Sequence, residues 1–232
     1  MFHRGKSDLK QIIMNTTKIL SGCILITASV IISSCSGGAR DRDGNRYKMV
    51  KIGKQEWMAE NLKVSHFRNG DTIPEAKSAE EWVRFAEKGK PAWCIIQNDP
   101  ENDKKYGRLY NWYTVNDPRG LAPKGFHVAT DDEWRQLTNF LGGGMIAALK
   151  MRSTGFADNL NETNQDSFSG LPGGLRANNG TFYGFYSYGY WWSATEFNAS
   201  DAWVILLNYL ICDVKRPVYN KSFGLSVRCI SD

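Results

Sequence analysis

The hydrophobic pattern changes its period several times along the chain. Residues 19–32 form an uncharged apolar run of 14, short of the roughly 20 residues that a membrane-spanning helix needs. Arg46–Met58 mixes apolar and polar residues on either side of Gly53-Lys54 and reads as two short strands around a turn. The period becomes helical after Ser78-Ala-Glu-Glu81, a capping box ahead of Trp82, Val83, Phe85 and Ala86, with Gly89 closing the helix. Trp93–Ile96 reads as a short buried strand. Leu109, Trp112 and Tyr113 fall at i, i+3, i+4 and predict an amphipathic helix over 106–116. A second capping box, Thr130-Asp-Asp-Glu133, opens a helix carrying Trp134, Leu137, Phe140 and Leu141, which Gly142-Gly-Gly144 ends. Residues 145–151 predict one more short helix.

Beyond residue 152 the pattern turns strand-like. Asn159–Asp166 is a polar loop, and Gly170-Leu-Pro-Gly-Gly174 marks a turn. Thr181–Trp192 packs eight aromatics into twelve residues, and Trp203–Leu207 and Phe223–Cys229 read as strands. Helices in the first half and a mainly antiparallel sheet from the second predict an α+β domain, not alternating βαβ units. No linker divides it, so residues 44–232 form one domain.

Composition sharpens this picture. With 12% aromatic residues and 23% charged, the chain is neither disordered nor a coiled coil nor collagen-like. The net charge of +5 is unevenly placed. Residues 1–34 hold Arg4, Lys6, Lys10 and Lys18 against Asp8, or 4 − 1 = +3, leaving 25 − 23 = +2 for the rest. Nucleic acid calls for a basic stripe with interleaved aromatics; Lys215, Arg216 and Lys221 are scattered, so no nucleic-acid partner is expected.

The basic start, apolar run and small residues of 1–34 have the layout of a secretory signal peptide, with Met14 as an alternative start. Ile32-Ser33-Ser34-Cys35 resembles the lipobox of bacterial lipoproteins. That resemblance implies cleavage before Cys35, a lipid on Cys35 and a place in the cell envelope, at the outer membrane. Residues 35–43 would then be the lipidated cysteine and a flexible tether. Cys94, Cys212 and Cys229 remain, in a compartment where disulfides persist; their spacings of 118 and 17 match no metal-ligand pattern.

Several motifs occur in a family order: Val50-Lys-Ile-Gly-Lys-Gln-Glu-Trp-Met-Ala-Glu-Asn-Leu-Lys63, Tyr106-Gly-Arg-Leu-Tyr-Asn-Trp-Tyr113 and Leu121-Ala-Pro-Lys-Gly-Phe-His-Val128 with Glu133-Trp134. Leu171-Pro-Gly-Gly174, Trp192-Ser-Ala-Thr-Glu196 and Ser222-Phe-Gly-Leu-Ser-Val-Arg-Cys229 follow. Over residues 41–231 the chain resembles the Fibrobacter succinogenes major paralogous domain; Ala129 stands where that family usually has proline. The resemblance implies a C-type-lectin-like fold, shared with formylglycine-generating enzymes, and favours Cys94–Cys229 as a disulfide. It implies no activity.

Candidate chemistry is sparse. Asp41-Arg-Asp-Gly-Asn45 suggests a calcium loop, but the sixth and twelfth positions, Arg46 and Ile52, are not the Gly and Glu such a loop needs. His66 and His127 lack any spaced metal or acid–base partner, so neither a metal nor a cofactor is expected. The cysteines are too far apart in sequence to form the close pair of a formylglycine-type oxidase. What stands out is the aromatic segment. Tyr186, Tyr188 and Tyr190 share one parity, with Trp191 beside them, and flat rings suit the apolar faces of sugars. Glu196, Asn198 and Asp201 follow and could bind hydroxyls, whereas Trp192 is expected in the core. Calcium-ligating sugar motifs are absent. The expectation is a non-enzymatic module that binds a glycan or protein; the alternatives are a diverged enzyme of the formylglycine-type group or a structural subunit of a surface assembly.

Overall fold

The computed structural model describes residues 38–153 and 168–232; the leader, Cys35 and the polar loop at 159–166 lie outside the described residues. The first described residues form a clasp, β1 (Ala39–Arg40) pairing antiparallel with β2 (Arg46–Tyr47). Asp41 closes its turn, accepting hydrogen bonds from the Asn45 amide (2.9 Å) and the Tyr47 hydroxyl (2.6 Å). From Gly38 onward, therefore, the expected tether is part of the domain. A hairpin of β3 (Met49–Ile52) and β4 (Gln55–Met58) follows, turning at Gly53, whose φ of 61° is cheap only for glycine.

The first helix, α1 (Ala79–Glu87), is capped reciprocally by Ser78 and Glu81 and buries Trp82. Next come β5 (Trp93–Ile95) and α2 (Pro100–Tyr106), the latter with Asp99 as N-cap and Pro100 in its first turn. The helix predicted over 106–116 does not form. Residues 108–110 are instead β6 (Arg108–Tyr110), antiparallel to β5, and only the short α3 (Trp112–Val115) is helical. The reason lies in the neighbours: Leu109, Tyr110 and Trp112 are all buried, so sheet pairing satisfies burial that a one-sided helix could not. Gly107 completes the corner; at φ 72° a Cβ there would lie 2.9 Å from the Leu62 carbonyl.

After β7 (Phe126–Val128), the second capping box opens α4 (Asp131–Phe140), and α5 (Gly144–Met151) follows the glycine break. The later residues are mostly strand: β8 (Leu175–Arg176), β9 (Phe182–Tyr183), β10 (Tyr188–Glu196), β11 (Asp201–Asn208), β12 (Asp213–Lys215), β13 (Val218–Asn220) and β14 (Cys229–Ser231). The fold is α+β with antiparallel sheets. One four-stranded sheet runs β3-β4-β14-β7 and so joins the two ends of the domain; the other runs β10-β11-β12, with β13 also on β11. The strand expected over 223–229 is instead a threading segment. Gly224 bridges Arg176, Leu225 bridges Tyr110 and Ser226 bridges Trp191, each on a different element, before regular pairing starts at Cys229.

Arg228 sits where the sheets meet and is wholly buried. It donates hydrogen bonds to the carbonyls of Met58 (2.9 Å) and Phe168 (2.7 Å) and to Asn61 Oδ1 (2.9 Å). Burial pulls its pKa down to about 10, so it stays cationic at neutral pH, solvated by fixed dipoles in place of water. Every described core residue lies between Ala39 and Ile230, so the compact unit Gly38–Asp232 carries its own core.

Candidate functional site

The sheet of β10 and β11 has two unlike faces, set by strand alternation. Tyr190 pairs with Leu206, Trp191 with Ile205 and Trp192 with Val204, which sends Trp191 to the side opposite Tyr188, Tyr190 and Trp192. Trp191 is fully buried against Trp134 (6.2 Å between ring centres) and Phe168 (6.1 Å), and its indole N–H donates to Asn61 Oδ1 at 2.8 Å. It is core, which corrects its expected place among ligand contacts. Trp192 is also buried, and donates to the Tyr110 carbonyl at 2.8 Å.

On the other face the rings form a strip. Tyr188 and Tyr190 lie 5.9 Å apart, Tyr190 and Tyr219 5.8 Å, and Tyr219 and Phe223 5.3 Å. Tyr219 reaches it because it pairs with Ala202, which shares the parity of Val204 and Leu206. Tyr188, Tyr219 and Phe223 are half-buried, while Tyr190 is only 8% exposed and supports the strip from within. Burial, with the neighbouring Tyr219 phenol, raises the Tyr190 pKa, so its hydroxyl stays neutral. Gly184 lies beneath; a Cβ there would be 2.9 Å from the Tyr188 ring. Tyr186, 57% exposed at φ 67°, stands in the preceding turn with its ring 3.9 Å from that of Phe185. Thus the structure brings Tyr188 and Tyr190 together and adds Tyr219 and Phe223, which sequence reading missed. The alternation in Val218-Tyr-Asn220 was the available signal, but nothing local says which strand it joins.

Glu196 and Asn198 have local work. Glu196 is ion-paired with the buried Lys221, whose ammonium also donates to the Ala199 carbonyl (2.8 Å) and lies over the Trp112 ring (4.8 Å). Asn198 Oδ1 accepts from the Ser200 and Asp201 amides at 2.8 Å, closing the β10–β11 turn.

Neither histidine has the geometry of a nucleophile–base pair. His66 Nδ1 lies 2.5 Å from Asp43 Oδ1, and Ser65 Oγ donates to the same carboxylate at 2.6 Å. A serine triad puts hydroxyl and carboxylate on opposite ring nitrogens; here both sit on one side, fastening residues 43 and 65 together. His127 uses both nitrogens, Nδ1 to Asp232 and Nε2 to Glu133, each at 2.8 Å. Burial opposes its charge, but these two carboxylates outweigh it and raise its pKa. Glu133 is lowered in turn: burial works against it, and hydrogen bonds from Thr130 and His127 prevail.

Cys94, Cys212 and Cys229 are free thiols, which corrects the expected Cys94–Cys229 bridge. Cys94 packs with Ala76, Trp82 and Ile96, while Cys229 packs in a different cluster with Met58 and Val128. Burial pushes both thiols up to about 12, so neither is a nucleophile at neutral pH. Cys212 lies at the β11–β12 turn, where Arg152 donates to its sulfur at 2.8 Å. Among the described residues, no group of three or more His, Cys, Asp or Glu side chains converges as a metal site would require.

No curated protein and no solved structure matches the chain. The family model of the Fibrobacter succinogenes major domain does match, over residues 50–231. Its span takes in Asn61, Trp191 and Arg228, the three side chains that close the core, as well as the tyrosine strip. The chain belongs to the Fibrobacter succinogenes major domain family.

Proposed function

We propose that this chain is a lipid-anchored protein of the cell envelope, held at the outer membrane through Cys35, whose domain is a non-enzymatic module that binds a glycan. The observation that carries the binding reading is the strip Tyr188–Tyr190–Tyr219–Phe223, with successive ring centres 5.3 to 5.9 Å apart on one sheet face. Successive rings are tilted or edge-to-face, at 39°, 72° and 70°, so the half-buried ones offer separate ring faces held rigidly by their own packing, at little entropic cost, and phenol hydroxyls add hydrogen bonds to sugar hydroxyls. Tyr186, exposed in the preceding turn and stacked on Phe185, is a further candidate contact. The signal-peptide layout and the lipobox-like Ile32–Cys35 support the anchor. A C-type-lectin-like assignment of the α+β fold rests on the family resemblance.

Two experiments test this. Purified residues 36–232 on a glycan array, with a parallel pull-down of envelope proteins, should bind sugars that expose an apolar ring face. Replacing Tyr188 and Tyr219 by alanine should weaken that binding at least about tenfold, at roughly 1–3 kcal/mol per ring-stacking contact. Capture of a protein partner with no glycan signal would give the site a different ligand, and undiminished binding by the double variant would contradict it. Separately, a labelled fatty acid should be incorporated by the full chain and not by Cys35→Ser; no incorporation by the wild type would overturn the anchor.

A further inference from the structure

We infer that the pocket beside the first strand binds the phosphate groups of anionic membrane lipids. The source of the ligand rests on the lipid anchor proposed above; its chemistry rests on the pocket itself. The pocket, of about 280 Å³, is lined by Arg40, Arg42, Arg68 and Lys124, with Leu121 and Pro123 on its apolar side. All four cations are exposed, and none has a carboxylate partner among the described residues.

Their placement is built rather than incidental. Arg68 is fixed by hydrogen bonds to the carbonyls of Ala122 (2.9 Å) and Phe126 (3.0 Å). Arg42 lies against Gly70, where a Cβ would come within 3.2 Å of its guanidinium. The one carboxylate in the lining, Asp41, is already saturated by Asn45 and Tyr47, and His66 is turned to Asp43. With Asp41's single charge held by neutral donors, the lining carries four cations against one carboxylate, an excess of positive charge that a phosphate's several oxygens complete.

The position of the pocket selects the source of that phosphate. Arg40 belongs to β1, and Ala39 is four residues after Cys35. At no more than about 3.6 Å per residue, a lipid on Cys35 would hold β1 within about 14 Å of the bilayer surface. The surface potential of anionic headgroups falls off within a Debye length of about 8–10 Å, so a tether this short lets β1 reach the layer where it acts.

The test uses residues 36–232, which contain the whole described core and lack the anchor, sedimented with vesicles of phosphatidylcholine alone or with added phosphatidylglycerol. Binding is expected only to the anionic vesicles. Arg42→Ala with Lys124→Ala should lower it by about fivefold per charge removed, and Arg42→Lys should retain most of it. Lys51→Ala with Lys54→Ala, at a separate pocket, removes equal charge and should change little. Lys124→Glu alters a single exposed side chain and should also weaken binding, which keeps the test intact should the double variant fold poorly. Equal binding to both vesicles, or equal loss in the Lys51/Lys54 variant, overturns the proposal. Inorganic phosphate at constant ionic strength should compete only at concentrations far above that of the vesicle lipid; displacement at concentrations comparable to the lipid would assign the pocket to free phosphate and overturns the lipid source. The protein tested has no Cys35, so absence of fatty-acid incorporation in the full chain would refute the anchor while leaving the vesicle result standing.

Discussion

Two sets of four rings flank the sheet of β10 and β11, and they have opposite fates. Trp57, Trp134, Phe168 and Trp191 pack together on one side, with ring centres 4.8 to 6.2 Å apart, and all are fully buried. Tyr188, Tyr190, Tyr219 and Phe223 lie at similar spacings on the other side, where only Tyr190 is buried. Spacing therefore does not separate core from surface; what covers the rings does. The first set lies under α4 and α5 and is tied through Trp191 and Asn61 to Arg228. The second set is half open, and its hydroxyl-bearing rings tolerate water where tryptophan and phenylalanine gain by leaving it.

If this contrast is right, substitutions on the two faces should separate stability from binding. The largest effect is expected from Trp191→Ala, which empties a fully buried site and should cost about 3–5 kcal/mol in denaturant unfolding. Gly189→Ala comes next. Its Cβ would fall 2.3 Å from the Trp191 ring and 3.0 Å from the Leu171 carbonyl, an overpacking expected to cost about 1–3 kcal/mol. Tyr219→Ala, at a half-buried ring on the edge of the other core cluster, should cost only about 1 kcal/mol in the same assay. A loss matching that of Trp191→Ala would erase the contrast between faces.

The capped helices were legible in sequence because their signals are local. Ser78 with Glu81 and Thr130 with Glu133 make both reciprocal bonds of the capping box, and the glycines at 142–144 stop α4 where expected. The 106–116 segment was not legible. Leu109, Trp112 and Tyr113 satisfy helical spacing, yet Trp93, more than a dozen residues away, pairs with Tyr110 and pulls the segment into a sheet. For α2 the local cues were present in Asp99 and Pro100, but it buries only Tyr106 and so carries no apolar stripe to reveal it. The strip shows the same limit. Tyr188 and Tyr190 could be grouped by parity within one strand, whereas Tyr219 joins them only through the β11–β13 register. Trp191 was misplaced for the same reason, since alternation tells that neighbours differ in face but not which face is covered.

The smallest expected effect lies away from both sets of rings, at His127. Its raised pKa means that the ion pairs with Glu133 and Asp232 stabilise the fold fully below the ordinary histidine value near 6.5 and lose that contribution as pH rises through the raised value. Glu133, being lowered, loses its share as pH falls through its depressed value. His127→Gln should therefore flatten the alkaline decline in unfolding midpoint near neutral pH without changing glycan binding. A pH profile identical to wild type would contradict this account of the pair.

The most direct test of the central claim is to compare glycan affinity and unfolding midpoint for Tyr188→Ala/Tyr219→Ala in residues 36–232. The account predicts at least about a tenfold loss of affinity, with the protein still cooperatively folded. Unchanged affinity in a folded double variant would contradict the strip as a binding surface.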